Sequence, residues 1–160
     1  LLLSLFWIYL TPSIFGNDNL GKLGDNHPAF IEGQLIYLLN NKPTPQCHAS
    51  TIVETNTGMV ASWFGGTHEK NTDVGIWVSR RINNKWRKPF KVADGSEGED
   101  KEYPCWNPVL FKTQSGKLLL FYKVGPSPSK WWGVIRESKD NGESWSDPEK
   151  WELTKRLVIF

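Results

Sequence analysis

The chain reads as all-β, a partial β-propeller of about two four-stranded blades, and three observations carry that reading. A stretch from Gln46 to Gly58 (QCHASTIVETNTG) recurs 58 positions later, from Pro104 to Gly116 (PCWNPVLFKTQSG), with Cys on Cys, Gly on Gly and apolar pairs aligned. The match extends further. Trp63-Phe64 is answered by Phe121-Tyr122, and Ser79, Trp86 and Pro89 are answered 59 positions later by Ser138, Trp145 and Pro148. A period a little above 50 residues that holds four short strands is the size of a propeller blade. No segment sustains a 3.6-residue apolar period, so almost no helix is expected.

The elements follow in order. Residues 1–15 open on LLLSLFWIYL, an apolar run too short to cross a bilayer, and read as the remnant of a secretory signal. Residues 16–29 are rich in Gly, Asn and Asp and read as a linker. Residues 30–160 form the incomplete propeller domain. Phe30 to Tyr37 is expected to be the last strand of a preceding blade. Within the first full blade, about 45–93, the β-rich runs are Ser50 to Glu54, Met59 to Phe64, Val74 to Ser79 and Trp86 to Val92. The acidic, Gly-containing Asp94 to Glu102 makes a solvated crossover, with a calcium site as the minor alternative. In the second blade, about 103–151, the runs are Val109 to Lys112, Lys117 to Val124, Gly133 to Glu137 and a last one between Trp145 and Trp151. The tail from Leu153 to Phe160 fits no blade pattern. Propellers close with about four to eight blades, so a chain holding two is expected to be part of a longer protein.

Composition narrows the partners. Nineteen basic residues against 17 acidic give a net charge of +2, and the cations are scattered rather than lined along a stripe, which argues against nucleic acid. No stable membrane span is expected, and oligomeric state is not legible. Nine Trp in 160 residues is high; indoles serve both as core wedges between sheets and as platforms for sugar rings. Cys47 and Cys105 hold equivalent positions in the two copies, and either a disulfide or two buried thiols fits them.

Ser138-Lys139-Asp140-Asn141-Gly142-Glu143-Ser144-Trp145 matches S-x-D-x-G-x-[ST]-W, the Asp-box, a structural turn in which Ser138, Asp140, Gly142 and Trp145 act locally. Ser79 to Trp86 keeps its Ser and Trp but lacks the Asp and Gly. With CHASTIVE, ASWFGGTHEK, DVGIWVSR, YPCWNPVLF and LLLFYKVGP, these residues resemble the sialidase-like (BNR/Asp-box repeat) β-propeller superfamily over roughly residues 45–151. Among characterised relatives the chain is most similar to rhamnose–glucuronate polysaccharide lyases. The resemblance implies a six- or seven-bladed propeller acting on an oligo- or polysaccharide or glycoconjugate; the apolar start implies a place outside the cytoplasm, no cofactor is expected, and two His without a third ligand are weak evidence for a metal.

The departures bear on chemistry. Where sialidases carry an Arg that clamps a carboxylate, this chain has Gln46-Cys47-His48-Ala49, and a neutral imidazole does not replace a bidentate guanidinium. The resemblance places the sialidase acid/base Asp near Asp73 and, through the lyases, implies a histidine pair, carried here by His48 and His68. Imidazole titrates near neutrality, which suits proton transfer. Arg80 and Arg81 are candidates to neutralise a substrate carboxylate. Trp106, Asn107, Lys123, Lys130, Trp131 and Trp132 are candidates to line the same pocket. Three outcomes stay open: exo-glycosidase hydrolysis, β-elimination beside a glucuronate, and non-catalytic carbohydrate binding.

Overall fold

The computed structural model describes residues 33–98 and 101–151, which form two antiparallel sheets stacked face to face as successive blades. The first contains β1 (Gln46–Thr55), β2 (Gly58–Gly66), β3 (Gly75–Ile82), β4 (Lys85–Trp86) and β5 (Phe90–Ala93); the second contains β6 (Cys105–Lys112), β7 (Leu118–Val124), β8 (Trp132–Ser138) and β9 (Glu149–Lys150). The order is β1-β2-β3-β4 in one, with β5 also on β3, and β6-β7-β8-β9 in the other. The fourth strand of the first blade is broken because Pro89 has no amide to give to the ladder. Among the described residues, helix is limited to single 3-10 turns at Leu39–Asn41 and Pro128–Lys130.

The sheets bury one core between them. Val60, Phe64, Ile76 and Val78 from the first meet Trp106, Leu110, Leu118, Leu120, Tyr122 and Val134 from the second. Ile76, Leu118 and Leu120 are fully buried, each worth roughly 1.5–3 kcal/mol of apolar burial. Polar pins join the blades at several heights. The Cys105 amide donates to the Val74 carbonyl at 2.9 Å, and the Leu110 amide to Thr51 Oγ1 at 3.3 Å. Arg136 donates to the Val92 carbonyl, and Arg80 pairs with Glu143 at 3.2 Å.

Strand pairing corrects the repeat alignment by one position. His48 pairs with Phe64 and Trp106 with Lys123, so Lys123, not Tyr122, is the counterpart of Phe64. The slip falls in the turns: Thr55 pairs with Gly58 across a two-residue loop, whereas Lys112 and Leu118 enclose a longer one.

The described part of the expected strand Phe30 to Tyr37 is not a strand. Residues 30–32 lie outside the described residues, and residues 33–38 carry no strand. Instead of pairing at an edge they pass over the sheet: Gln34 Oε1 accepts from Arg81 Nε at 2.9 Å, and Tyr37 packs on Trp63 at 5.8 Å. The expected signal remnant (1–15), the linker (16–29) and the tail (153–160) also lie outside the described residues.

The Asp-box turn of the second blade is held by its own side chains. Ser138 Oγ donates to Asp140 Oδ1 at 2.8 Å and accepts from the Gly142 amide at 2.8 Å. Asp140 Oδ1 also accepts the amides of Glu143 and Ser144 at 3.0 and 2.9 Å. Gly142, at φ 82°, lies so close to Val60 that a Cβ would sit 3.1 Å from its methyl group, so the turn seats directly on the first blade. Trp145 packs against the core beside it. The first blade closes the same hairpin differently, with Asn83 and Asn84 at φ 52° and 61°, the left-handed pair a type I′ turn requires. Ser79 makes no such cap; its hydroxyl donates to the Arg87 carbonyl at 2.7 Å.

Candidate functional site

One rim of the blades gathers most of the chemistry-bearing residues. β1 and β6 begin there and β2 and β7 end there, as the pairings Gln46 with Gly66 and Cys105 with Val124 require. The bond from the Cys105 amide to the Val74 carbonyl ties the start of β6 to the residue that leads into β3 at this rim. Both inner strands carry a bulge at the same place, between His48 and Thr51 and between Trp106 and Val109. Ala49 and Asn107 are the left-handed residues of these bulges, at φ 50° and 42°. Asn accepts that conformation readily, whereas Ala pays roughly 1–2 kcal/mol for it. The bulge breaks the alternation of side chains just after His48, a common way of re-aiming residues at the end of a sheet.

His48 is exposed, its ring 5.6 Å from that of Phe64. His68 is exposed on the loop leaving β2, where its Nδ1 lies 2.7 Å from the Glu69 carbonyl oxygen. A carbonyl only accepts, so Nδ1 carries the proton and, in the neutral ring, Nε2 keeps its lone pair. The loop is tied down by the Glu69 amide donating to Gln46 Oε1 at 3.3 Å, and by Asp73 Oδ2 accepting from the Thr67 amide at 2.8 Å. Asp73 is itself exposed and, with Thr67, Lys70, Asn71 and Thr72, lines a shallow open depression.

The second blade adds aromatic surface. Trp106 is buried, donating from Nε1 to the Gly125 carbonyl at 2.9 Å. Its ring bridges Phe64 at 5.9 Å and Trp131 at 5.1 Å. Lys123 Nζ lies 4.8 Å from the centre of the Trp131 ring. Lys130 is exposed at the end of the 3-10 turn leading into Trp131, and Asn107 is exposed beside Trp106. Trp132 stands apart from this stack: it meets Tyr103 edge-on at 5.4 Å and is capped by Lys150 at 4.9 Å.

Arg80 and Arg81 are not brought to this rim. They pair with Val60 and Met59 at the opposite end of β2, where Arg80 binds Glu143 and Arg81 holds Gln34. The strand length decides this, because β3 starts at the rim with Gly75 and leaves it before reaching the arginines. Phe64, by contrast, escapes sequence reading although it joins His48 to the second blade; only the cross-strand register identifies it.

Cys47 and Cys105 are both free thiols. The Tyr37 hydroxyl lies 3.3 Å from Cys47 Sγ. Burial, with the Asp94 charge adding to it, pushes the Cys105 thiol up to about 12. Among the described residues no cluster of three His, Cys, Asp or Glu stands at ligand spacing, and no helix is long and apolar enough to cross a membrane.

The fold is shared with a solved sialidase, Hadza microbial sialidase Hz136, at TM-score 0.58 and 13% identity over 67% of this chain and 26% of that one. This chain therefore spans about a quarter of that structure's length. A protein of unknown function from Dyadobacter fermentans aligns at TM-score 0.49 and 13% identity, over 64% of this chain and 35% of that one. No curated protein matches the chain. The duplicated unit, the Asp-box turn and the stacked blades are accompanied by a match of residues 57–159 to the BNR repeat-like domain, and the chain belongs to that family, with a sialidase-like fold.

Proposed function

We propose that this chain supplies part of a glycan-cleaving site, with His48 and His68 as its acid/base pair, in an extracytoplasmic protein whose further blades complete a six- or seven-bladed propeller. The observation that carries the reading is the shared rim: two exposed imidazoles stand at the strand ends where an aromatic row runs from Phe64 to Trp131. Sugars bind such rows by stacking their apolar faces on the rings while imidazoles move the protons.

His68 is the base in this scheme. With Nδ1–H held by the Glu69 carbonyl, Nε2 of the exposed ring keeps the lone pair that accepts a proton, and His48 donates one to the departing oxygen. Asp73 holds the His68 loop through the Thr67 amide. Asn107 keeps the bulge beside Trp106, and Lys130 borders the row.

In elimination, His68 removes the proton beside a uronate carboxylate. The electron pair forms a carbon–carbon double bond as the glycosidic C–O bond breaks, and the leaving oxygen takes the proton from His48. In hydrolysis the same pair would activate water and protonate the leaving group. Elimination is favoured by Gln46-Cys47-His48-Ala49 standing where a carboxylate-clamping Arg would be needed.

The test is incubation of the protein with a sialylated conjugate and with a rhamnosyl-glucuronate polymer. Free sialic acid identifies hydrolysis, and ultraviolet absorbance of an unsaturated uronate identifies elimination. His48→Ala and His68→Ala are each expected to lower turnover at least 100-fold, the scale of a lost general acid or base. Full activity in either variant overturns the pair, and binding of the polymer without either product makes the chain a carbohydrate-binding module.

A further inference from the structure

We propose that Lys123, seated on Trp131, is the residue that selects an acidic sugar at this rim, its ammonium pairing with the ligand carboxylate while the Trp131 and Trp106 rings flank the sugar. The inference rests on the rim being the glycan site and goes further by naming the group that reads the ligand's charge.

Four observations converge on Lys123. It lies next to the rim end of β7, directly across from Trp106, where the first blade has Phe64 across from His48. The two blades thus present the same pair of positions with different chemistry, an imidazole over a phenyl ring in one and an ammonium beside an indole in the other. Lys123 is exposed, and its Nζ stands 4.8 Å from the Trp131 ring centre. That contact orients the side chain without neutralising its charge.

Among the described residues Lys123 has no carboxylate partner. The pairs there are Arg80 with Glu143, Lys117 with Glu137 and Lys150 with Glu97. Finally, the two other cations nominated for a carboxylate, Arg80 and Arg81, lie at the far end of the sheet. An ammonium held on an indole beside an imidazole-bearing aromatic row suits a ligand that is apolar on one face and anionic at one edge. That describes a uronate or a sialate in its sugar ring form.

The probes are a rhamnosyl-glucuronate disaccharide and 3′-sialyllactose, each set against its neutral counterpart, rhamnosyl-glucose and lactose. Binding to the full-length protein, its further blades included, is followed by tryptophan fluorescence. The acidic member of at least one pair is expected to bind roughly tenfold tighter, with a preference that shrinks as salt rises. Whichever pair shows it identifies the acid. Lys123→Gln is expected to bring acidic and neutral members within about twofold while neutral binding persists, and Lys123→Arg to restore the preference.

An acidic preference that survives Lys123→Gln overturns the role of Lys123, as does equal binding of acidic and neutral sugars to the unmodified chain. In both cases the glycan site stands. Failure of all four sugars to bind overturns the site itself, and Lys123 with it.

Discussion

Asp140 gives the sharpest test of how the second blade is held, because one carboxylate gathers four donors. Ser138 Oγ, the Glu143 amide, the Ser144 amide and Ser144 Oγ reach it at 2.8, 3.0, 2.9 and 2.5 Å. Partial burial alone would raise its pKa, but the bonds from Ser144, Ser138 and Glu143 outweigh that and hold the carboxyl at about 2, below its ordinary 3.8. A depression of that size corresponds to at most about 2.4 kcal/mol. Solvent screening at a half-open turn reduces it to about 1–2 kcal/mol.

Because the folded value lies below the unfolded one, this stability is complete above about pH 4 and is lost as pH falls through about 2. Asp140→Asn is therefore expected to cost about 1–2 kcal/mol at pH 7, lowering Tm by roughly 2–8 °C. Asp140→Ala removes the acceptor altogether and leaves the buried Ser138 hydroxyl without it, while the donors of exposed Glu143 and Ser144 turn to water, for about 1–3 kcal/mol. Urea unfolding followed by tryptophan fluorescence, for unmodified chain and amide variant between pH 7 and 2, isolates the group. The gap between the two should close at acid pH, where protonated Asp140 becomes nearly isosteric and isoelectronic with the amide. A gap that stays constant down to pH 2, or an Ala variant within 0.5 kcal/mol of the parent, within the roughly ±0.5 kcal/mol of an ordinary surface change, would refute the reasoning.

Two further outcomes follow from the rim. Ala49→Gly, which in an extended strand would destabilise, is expected to be stabilising by up to about 1 kcal/mol because the residue sits at φ 50°. A thermal melt showing loss of stability would contradict the bulge. Thiol titration of unfolded, unreduced protein is expected to count two free thiols. In the native state half-buried Cys47 should label well before Cys105, whose burial disfavours the thiolate; equal rates would contradict that burial.

The blades were legible because their signals are local. The Asp-box writes its turn chemistry into consecutive residues, and the copied strands carry their apolar pairs in step. What escaped depended on register and on packing at a distance. A one-residue difference between turns, two residues at Asn56-Thr57 against three at Gln114-Ser115-Gly116, exchanges Tyr122 for Lys123 as the partner of the rim. Gln34 to Tyr37 looked like a strand by composition, yet its residues spend their contacts on the face of the first sheet rather than on its edge. Arg80 and Arg81 are carboxylate candidates by their charge alone, and the length of β3 carries them away from the rim. At the site, His48 and His68 are legible from residue type, from their places in the repeat and from the family resemblance. The Phe64 and Trp106 rings that connect the first to the second blade could not be ordered without the strand pairings.

The pins between the blades bear on how such a protein can be altered. With Cys105 tied to Val74 at one rim, Arg80 to Glu143 at the other and Arg136 to Val92 between them, the sheets have little freedom to hinge. If the rim holds the glycan as proposed, variation in ligand is written in the connections that overhang it, residues 67–74 and 125–131, and in the strand ends that carry His48 and Lys123, rather than in the stacking of the blades. On that reading those segments and strand ends are the places to exchange when a new sugar specificity is wanted, with the stacking of the sheets left unchanged beneath them.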